Sequence, residues 1–185
     1  MRRYVDRRSG RRDGGGTVRD MPTLVVFRHA AAQSYAARDR ERALTEQGRR
    51  EAEIAGRALA AVDPPDGVLV SAAHRAQETY AIARDHGGFD AQAHVLDDLY
   101  SGDVDKVLAA VAAHGGSNRT LLLVGHQPWC STLIELLTGA RVRMDTGALA
   151  GLQVGPSWDG LDAQWCALQW FGSPRTLDAV ARGPR

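Results

Sequence analysis

Lysine is almost missing from this chain. Lys106 stands alone among 23 basic residues, and every other one is arginine. Positive charge is therefore carried by planar guanidinium forks, which match the oxygens of phosphate. Cysteine is nearly as scarce: Cys130 and Cys166 sit in separate apolar stretches, with no second thiol at metal-ligand spacing. That excludes a disulfide framework and a cysteine-based metal centre, and both thiols are expected reduced in the core. No apolar run approaches the roughly 20 residues that span a bilayer, so no membrane partner is expected. The paired arginines near the start lack the hydrophobic stretch of an export signal. A cytoplasmic location is the expectation. Excess charge is missing too. A formal net charge of +1 does not describe a globally basic nucleic-acid binder, and no nucleic-acid partner is expected.

The balance is uneven along the chain. Residues 1–20 hold seven arginines against three aspartates, and include Gly14, Gly15 and Gly16. They lack apolar periodicity and cannot bury enough surface to offset their ordering entropy. They read as a disordered tail, or as a start assigned too early with Met21 the first residue. Residues 21–185 read as one domain.

From Thr23 onward, strands and helices alternate. Leu24–Phe27 is a short buried strand ending at Arg28 and His29. Thr45 is placed to cap a helix running to Val62, stopped by Asp63-Pro64-Pro65. Val68–Val70 is a second strand, followed by a helix over 73–85. Val95 and Leu96 mark a third strand, and Val104, Val107, Leu108 and Val111 an amphipathic helix. Thr120–Val124 is the clearest strand. It runs into Gly125-His126-Gln127-Pro128, with Pro128 at the first position of a helix that stops near Gly139. Residues 148–154 and 164–171 form a late pair of strands. This order predicts an α/β domain of three layers: a mostly parallel sheet flanked by helices, with the late hairpin at an edge.

In such sheets ligands bind beyond the carboxyl ends of the strands. Four polar clusters fall there: Arg28-His29, Ser71 through Arg75, Asp97-Asp98, and His126. Two histidines, two or three arginines and a carboxylate describe a phosphoryl-transfer site that needs no metal and no cofactor. Arginine forks bind nonbridging phosphate oxygens and neutralise the charge spread over them in the transition state. A neutral imidazole is a competent nucleophile, and nearby arginines keep it neutral. A carboxylic acid can protonate the leaving group and then activate water. Each residue has a plainer alternative: Arg75 as a solvated helix residue, Arg42 as the partner of Glu41 or Asp39, Asp98 as a helix cap. His74, His86, His94 and His114 show no metal-ligand spacing and read as surface or helix-end residues. Trp129, just after the His126 turn, is expected on the pocket wall. Trp158, Trp165 and Trp170 are expected in packing.

Six segments, in order, carry a resemblance. They are Leu24 to Ala30 (LVVFRHA), Arg42-Ala43-Leu44-Thr45, Ser71 through Thr79 (SAAHRAQET), Asp98-Leu99, Val124 through Pro128 (VGHQP) and Thr146 through Ala150 (TGALA). The stretch from Thr23 to Phe171 resembles the histidine phosphatase superfamily, also called phosphoglycerate-mutase-like. Within it the chain is similar to the short SixA-type protein-histidine phosphatases. The resemblance implies a phosphorylated nucleophile at His29. It implies a phosphate cradle of Arg28, Arg75 and His126, with a further contact from Arg42. It gives the acid position to Asp98, with Asp97 as the fallback. The chain departs from the family pattern at Ala30 for glycine, Ala72 for proline, Glu78 for glutamine, and Asp98 for the longer glutamate.

Only 51 positions separate Arg75 from His126, which leaves no room for the lid that encloses sugar phosphates in larger relatives. An open site suits phosphohistidine displayed on a protein as the substrate. Imidazole is also a far better leaving group than an alcohol, so it tolerates the shorter Asp98. The alternatives are a phosphatase for small phosphoesters and a phosphate-binding module without turnover. For the tail, the expectation is dispensability. A chain beginning at Met21 should keep its melting temperature and specific activity, and a drop of several degrees would show that residues 1–20 dock on the domain.

Overall fold

In the computed structural model the described residues are 21–182, and the expected tail, 1–20, lies outside them. Six strands form one sheet: β1 (Thr23–Arg28), β2 (Gly67–Ser71), β3 (Ala93–Leu96), β4 (Thr120–Gly125), β5 (Leu149–Gln153) and β6 (Ala167–Gly172). Their spatial order is β3-β2-β4-β1-β5-β6. The first four strands run parallel, and β5 and β6 pair antiparallel at one edge, as the late-hairpin expectation has it.

Strand alternation feeds two cores. Leu24 and Val26 of β1, with Leu121 and Leu123 of β4, face α3 (Val104–His114) and α4 (Trp129–Thr138). Val25 and Phe27, with Leu122 and Val124, face α1 (Glu46–Val62), α2 (His74–Gly87) and α5 (Pro174–Arg182). Buried on both sides, these strands read as continuous apolar runs.

Local signals set the helix ends. The Thr45 side chain accepts a hydrogen bond from the Gly48 amide and caps α1. Gly88 and Gly139 take left-handed conformations after α2 and α4. Asp103, not Asp98, caps α3. The helix α5 was not expected. Its signal is Ser173-Pro174, with the Ser173 hydroxyl accepting from the Thr176 amide and proline at the first helical position.

The topology creates the crevice. The chain leaves β1 through α1 on one face and leaves the adjacent β4 through α4 on the other. Adjacent strands whose connections diverge open a gap at their carboxyl ends. Arg28 pairs in register with Gly125, so His29 and His126 emerge side by side at that gap.

Trp129 departs from expectation. It is wholly buried in the core and does not line the cavity beside His126. Its indole N–H donates to the Leu99 carbonyl at 3.0 Å, fixing the β3–α3 connection. Trp158 is buried as expected and Trp170 half-buried, but Trp165 is 58% exposed. Cys130 is buried and Cys166 half-buried, both unbonded.

Gly125 leaves the space that the Trp129 ring fills, because a Cβ there would overlap its six-membered ring. Gly125→Ala should therefore destabilise the fold by about 1–3 kcal/mol, the usual cost of overpacking. That corresponds to a drop of roughly 2–12 °C in Tm by calorimetry for a domain of this size. An unchanged Tm would mean that the indole has room to move.

Candidate active site

The main chain around His29 is held by neighbouring elements. The His29 amide donates to the Gly125 carbonyl at 2.9 Å, and the Gly147 amide donates to the His29 carbonyl at 3.2 Å. The Ala30 amide donates to the Thr79 hydroxyl at 3.1 Å, and the Ala31 amide to the buried Glu51 carboxylate at 2.9 Å. Thr79 and Glu51 were not singled out from the sequence. Thr79 closes the SAAHRAQET segment, and this contact is the physical use of that position. Ala30, where the family pattern has glycine, needs no special conformation. No described residue other than glycine has a positive φ.

The His29 ring is equally fixed. Its Nδ1 lies 2.8 Å from the Ala30 carbonyl oxygen. A carbonyl can only accept, so Nδ1 carries the proton and Nε2 keeps its lone pair. The Arg75 Nε–H points at that lone pair from 3.3 Å. His126 stacks at a tilt on His29, with ring centroids 4.9 Å apart. Its Nε2 is 2.7 Å from the Ser71 hydroxyl oxygen. When Ser71 donates that bond, Nδ1 of His126 is the free N–H.

Both rings are electrostatically biased to neutrality. Burial is the main cause for His29, reinforced by the Arg75, Arg28 and Arg42 guanidiniums against the opposing Ala30 bond, and its pKa falls from about 6.5 to about 4. Burial again leads for His126, followed by His29 and Arg75, and its pKa falls to about 3.

The arginines close the site. Arg28 donates from Nη1 to the Met144 carbonyl at 2.7 Å. Its Nε, like Nε of Arg42 and Nδ1 of His126, is buried without a hydrogen-bond partner. A buried unpaired donor costs about 1–3 kcal/mol, so such groups mark a place for an acceptor. Arg28, His29, Arg42, Arg75, His126 and Gln127 line one cavity of about 290 Å³. A larger groove of about 790 Å³ between α2 and β3 contains no such convergence.

Five of the six expected site residues thus meet at this cavity. Asp98 does not line it. Asp98 is exposed on the turn after β3, and Asp97 is ion-paired with Arg40. Arg42 does pair with Asp39, its Nε 2.8 Å from Oδ1. Glu78, where the family pattern has glutamine, accepts from the Leu44 amide and pairs with Arg49. His74 is exposed beside Arg38 and Arg40. Among the described residues no group of three or more His, Cys, Asp or Glu is arranged to hold a metal ion. No described helix is long and apolar enough to cross a membrane.

Known proteins share this fold and part of this sequence. The family model for the histidine phosphatase superfamily (branch 1) matches residues 24–103. An uncharacterised protein of Mycobacterium tuberculosis is 35% identical over 162 residues, covering 80% of this chain and 100% of that protein. The structure of the protein assigned as phosphohistidine phosphatase SixA in Nakamurella multipartitia is 35% identical with a TM-score of 0.75, covering 83% of this chain and 96% of that one. The protein histidine phosphatase SixA complexed with tungstate is 27% identical with a TM-score of 0.72, covering 84% and 99%. The chain belongs to the histidine phosphatase superfamily, and is a phosphatase of the SixA-like kind.

The neutrality of His29 is directly measurable. In an NMR titration its imidazole should stay uncharged from pH 7 down to pH 5 and take up a proton only near pH 4. The unfolded chain takes that proton near pH 6.5. Between these values the unfolded state binds more protons, so stability should fall as pH drops from about 6.5 to about 4 and gain nothing from His29 above that window. Protonation of His29 near pH 6.5 in the folded protein would contradict the electrostatic account.

Proposed function

We propose that this phosphatase removes the phosphoryl group from phosphohistidine on another protein, through a phosphohistidine intermediate on His29. The observation that carries this reading is the His29 ring itself. Its Nδ1 is anchored to Ala30, and its Nε2 lone pair is uncharged and faces the Arg75 guanidinium. Arg28, Arg42, Arg75 and His126 supply donors for the oxygens of a phosphoryl group in the cavity they share. The similarity to a SixA complexed with tungstate, a tetrahedral oxyanion, supports oxyanion binding by this chain.

Two transfers complete the reaction. In the first, Nε2 of His29 bonds to phosphorus as the bond from phosphorus to the substrate imidazole breaks, and the leaving nitrogen gains a proton. In the second, a water oxygen bonds to phosphorus, the His29 N–P bond breaks, the water proton goes to a base, and inorganic phosphate leaves. Guanidiniums stabilise the charge in both, so no step calls for a metal.

Asp98 is the carboxylate available to donate the proton. Asp97 is ion-paired with Arg40, and Asp39 with Arg75 and Arg42, its carboxyl held below its ordinary range by the Tyr100 hydrogen bond and those guanidiniums. Asp98 is exposed, and among the described residues no ion pair engages it. An acid set out at the surface fits a leaving group that needs little help, which favours phosphohistidine over alkyl phosphates. A reducing, cytoplasmic setting fits the unbonded Cys130 and Cys166.

Turnover of a phosphohistidine protein, a phosphoserine peptide and a sugar phosphate in EDTA, with wild type and Asp98→Asn, tests this reading. The phosphohistidine protein should be the best substrate, and chelation should not matter. Asp98→Asn should cost about 10²–10⁴-fold on the alkyl phosphates and much less on phosphohistidine. A sugar phosphate turned over faster than phosphohistidine would overturn the substrate assignment. Equal losses for every leaving group would move the acid role away from Asp98.

A further inference from the structure

Asp39 occupies a single 3₁₀ turn, Asp39–Glu41, in the connection between β1 and α1. Among the described residues it is the one acidic residue in contact with two of the cavity arginines. Arg75 reaches it twice: Nη1 donates to the Asp39 carbonyl oxygen at 2.9 Å, and Nη2 to Oδ2 at 3.1 Å. The third nitrogen of that guanidinium, Nε, is the one facing His29. Arg42 Nε lies 2.8 Å from the other carboxylate oxygen, an ion pair that leaves its N–H without a hydrogen bond. The Tyr100 hydroxyl donates to Oδ2 at 2.9 Å.

Tyr100 ties this cluster to the opposite wall. Its ring meets the His126 ring edge-on, with centroids 5.7 Å apart, and the Arg75 guanidinium carbon lies 6.0 Å from the tyrosine ring centre. It follows Leu99, whose carbonyl is fixed by Trp129. Asp39 and Tyr100 do not line the phosphate cavity, so neither is placed to touch a phosphoryl group held in it. Hydrogen bonding from Tyr100, with the Arg75 and Arg42 charges, holds the Asp39 carboxyl below its ordinary range, so it stays an acceptor.

Resting on the proposed function above, we infer that Asp39 is a positioning residue for phosphoryl transfer. Its carboxylate and carbonyl oxygens, with Tyr100 behind them, fix the Arg75 and Arg42 guanidiniums in the orientation that meets a phosphoryl group on His29. An unrestrained arginine loses much rotamer freedom on binding, and this contact removes that freedom beforehand. Charge alone predicts the opposite effect, because a carboxylate beside phosphate-binding arginines repels an anion. The sign of the effect therefore separates the two roles.

The test compares wild type, Asp39→Ala, Asp39→Asn, Tyr100→Phe and the Asp39→Ala/Tyr100→Phe double variant. Inorganic phosphate binding is read by calorimetry, and single-turnover dephosphorylation by rapid quench, with Tm as a check on folding. Asp39→Ala should weaken phosphate binding about tenfold and slow the chemical step about 10–100-fold, the scale of a misplaced catalytic group. Asp39→Asn should fall between, since the amide oxygen can still accept from Arg75 and Tyr100 but its NH₂ cannot serve Arg42. Tyr100→Phe should cost a few-fold in the wild-type background and nothing further in Asp39→Ala, because the hydroxyl acts through that carboxylate. Phosphate binding by Asp39→Ala as tight as wild type, or tighter, would overturn the inference while leaving the proposed function standing. A wild-type protein with no affinity for phosphate would overturn the proposed function as well.

Discussion

Keeping an imidazole unprotonated and aimed, in the middle of a cluster of arginines, is the constraint on which this site depends. Burial supplies most of the neutrality, since a charged ring would lose its hydration. The guanidiniums add to it, and they also attract the anion that the lone pair must attack. The Ala30 carbonyl opposes this by favouring the protonated ring, yet it performs the task that burial cannot. It fixes the tautomer, so that the lone pair is on Nε2, the nitrogen facing Arg75. Charge state, tautomer and direction are thus set by three different contacts.

The sheet makes those contacts possible. With β1 and β4 adjacent, parallel and in register, the residues that follow them are neighbours regardless of the 97 positions between His29 and His126. The crossovers then bring α2, with Arg75 in its first turn, against the same gap. Hydrogen bonds from the Ala30 and Ala31 amides to Thr79 and Glu51 hold the loop after His29 to α2 and α1. The nucleophile therefore sits on a segment supported from both sides, although it lies beyond the end of its strand. Such support is what a site requiring close placement of several groups demands.

Much of this was legible in the sequence because the physical signals were local. Apolar runs ending in polar residues gave the parallel strands, and Thr45 and Gly139 gave helix ends. Strand ends marked by Arg28-His29, Arg75 and His126 gave the cavity. What was not legible depended on long-range packing. Trp129 beside a polar turn reads as wall, with core as the alternative, and the gap left by Gly125 gives its ring room inside. Asp39 lies in a polar, arginine-rich loop where a carboxylate has many local partners, and its contact with Arg75 spans 36 positions. Asp98 was located by sequence order, which fixes its turn but not the direction of its side chain. The helix α5 is short, Pro174–Arg182, so its apolar spacing spans too few turns to stand out from loop, although its stripe is well defined once Leu177 packs against the core.

The central claim is a covalent bond to Nε2 of one histidine. Rapid-quench trapping with a ³²P-labelled phosphohistidine protein, followed by peptide mapping, tests it most directly. The account predicts an acid-labile, base-stable label on His29, absent from His29→Ala along with turnover. Full activity in His29→Ala, or a label carried by a different residue, would contradict it.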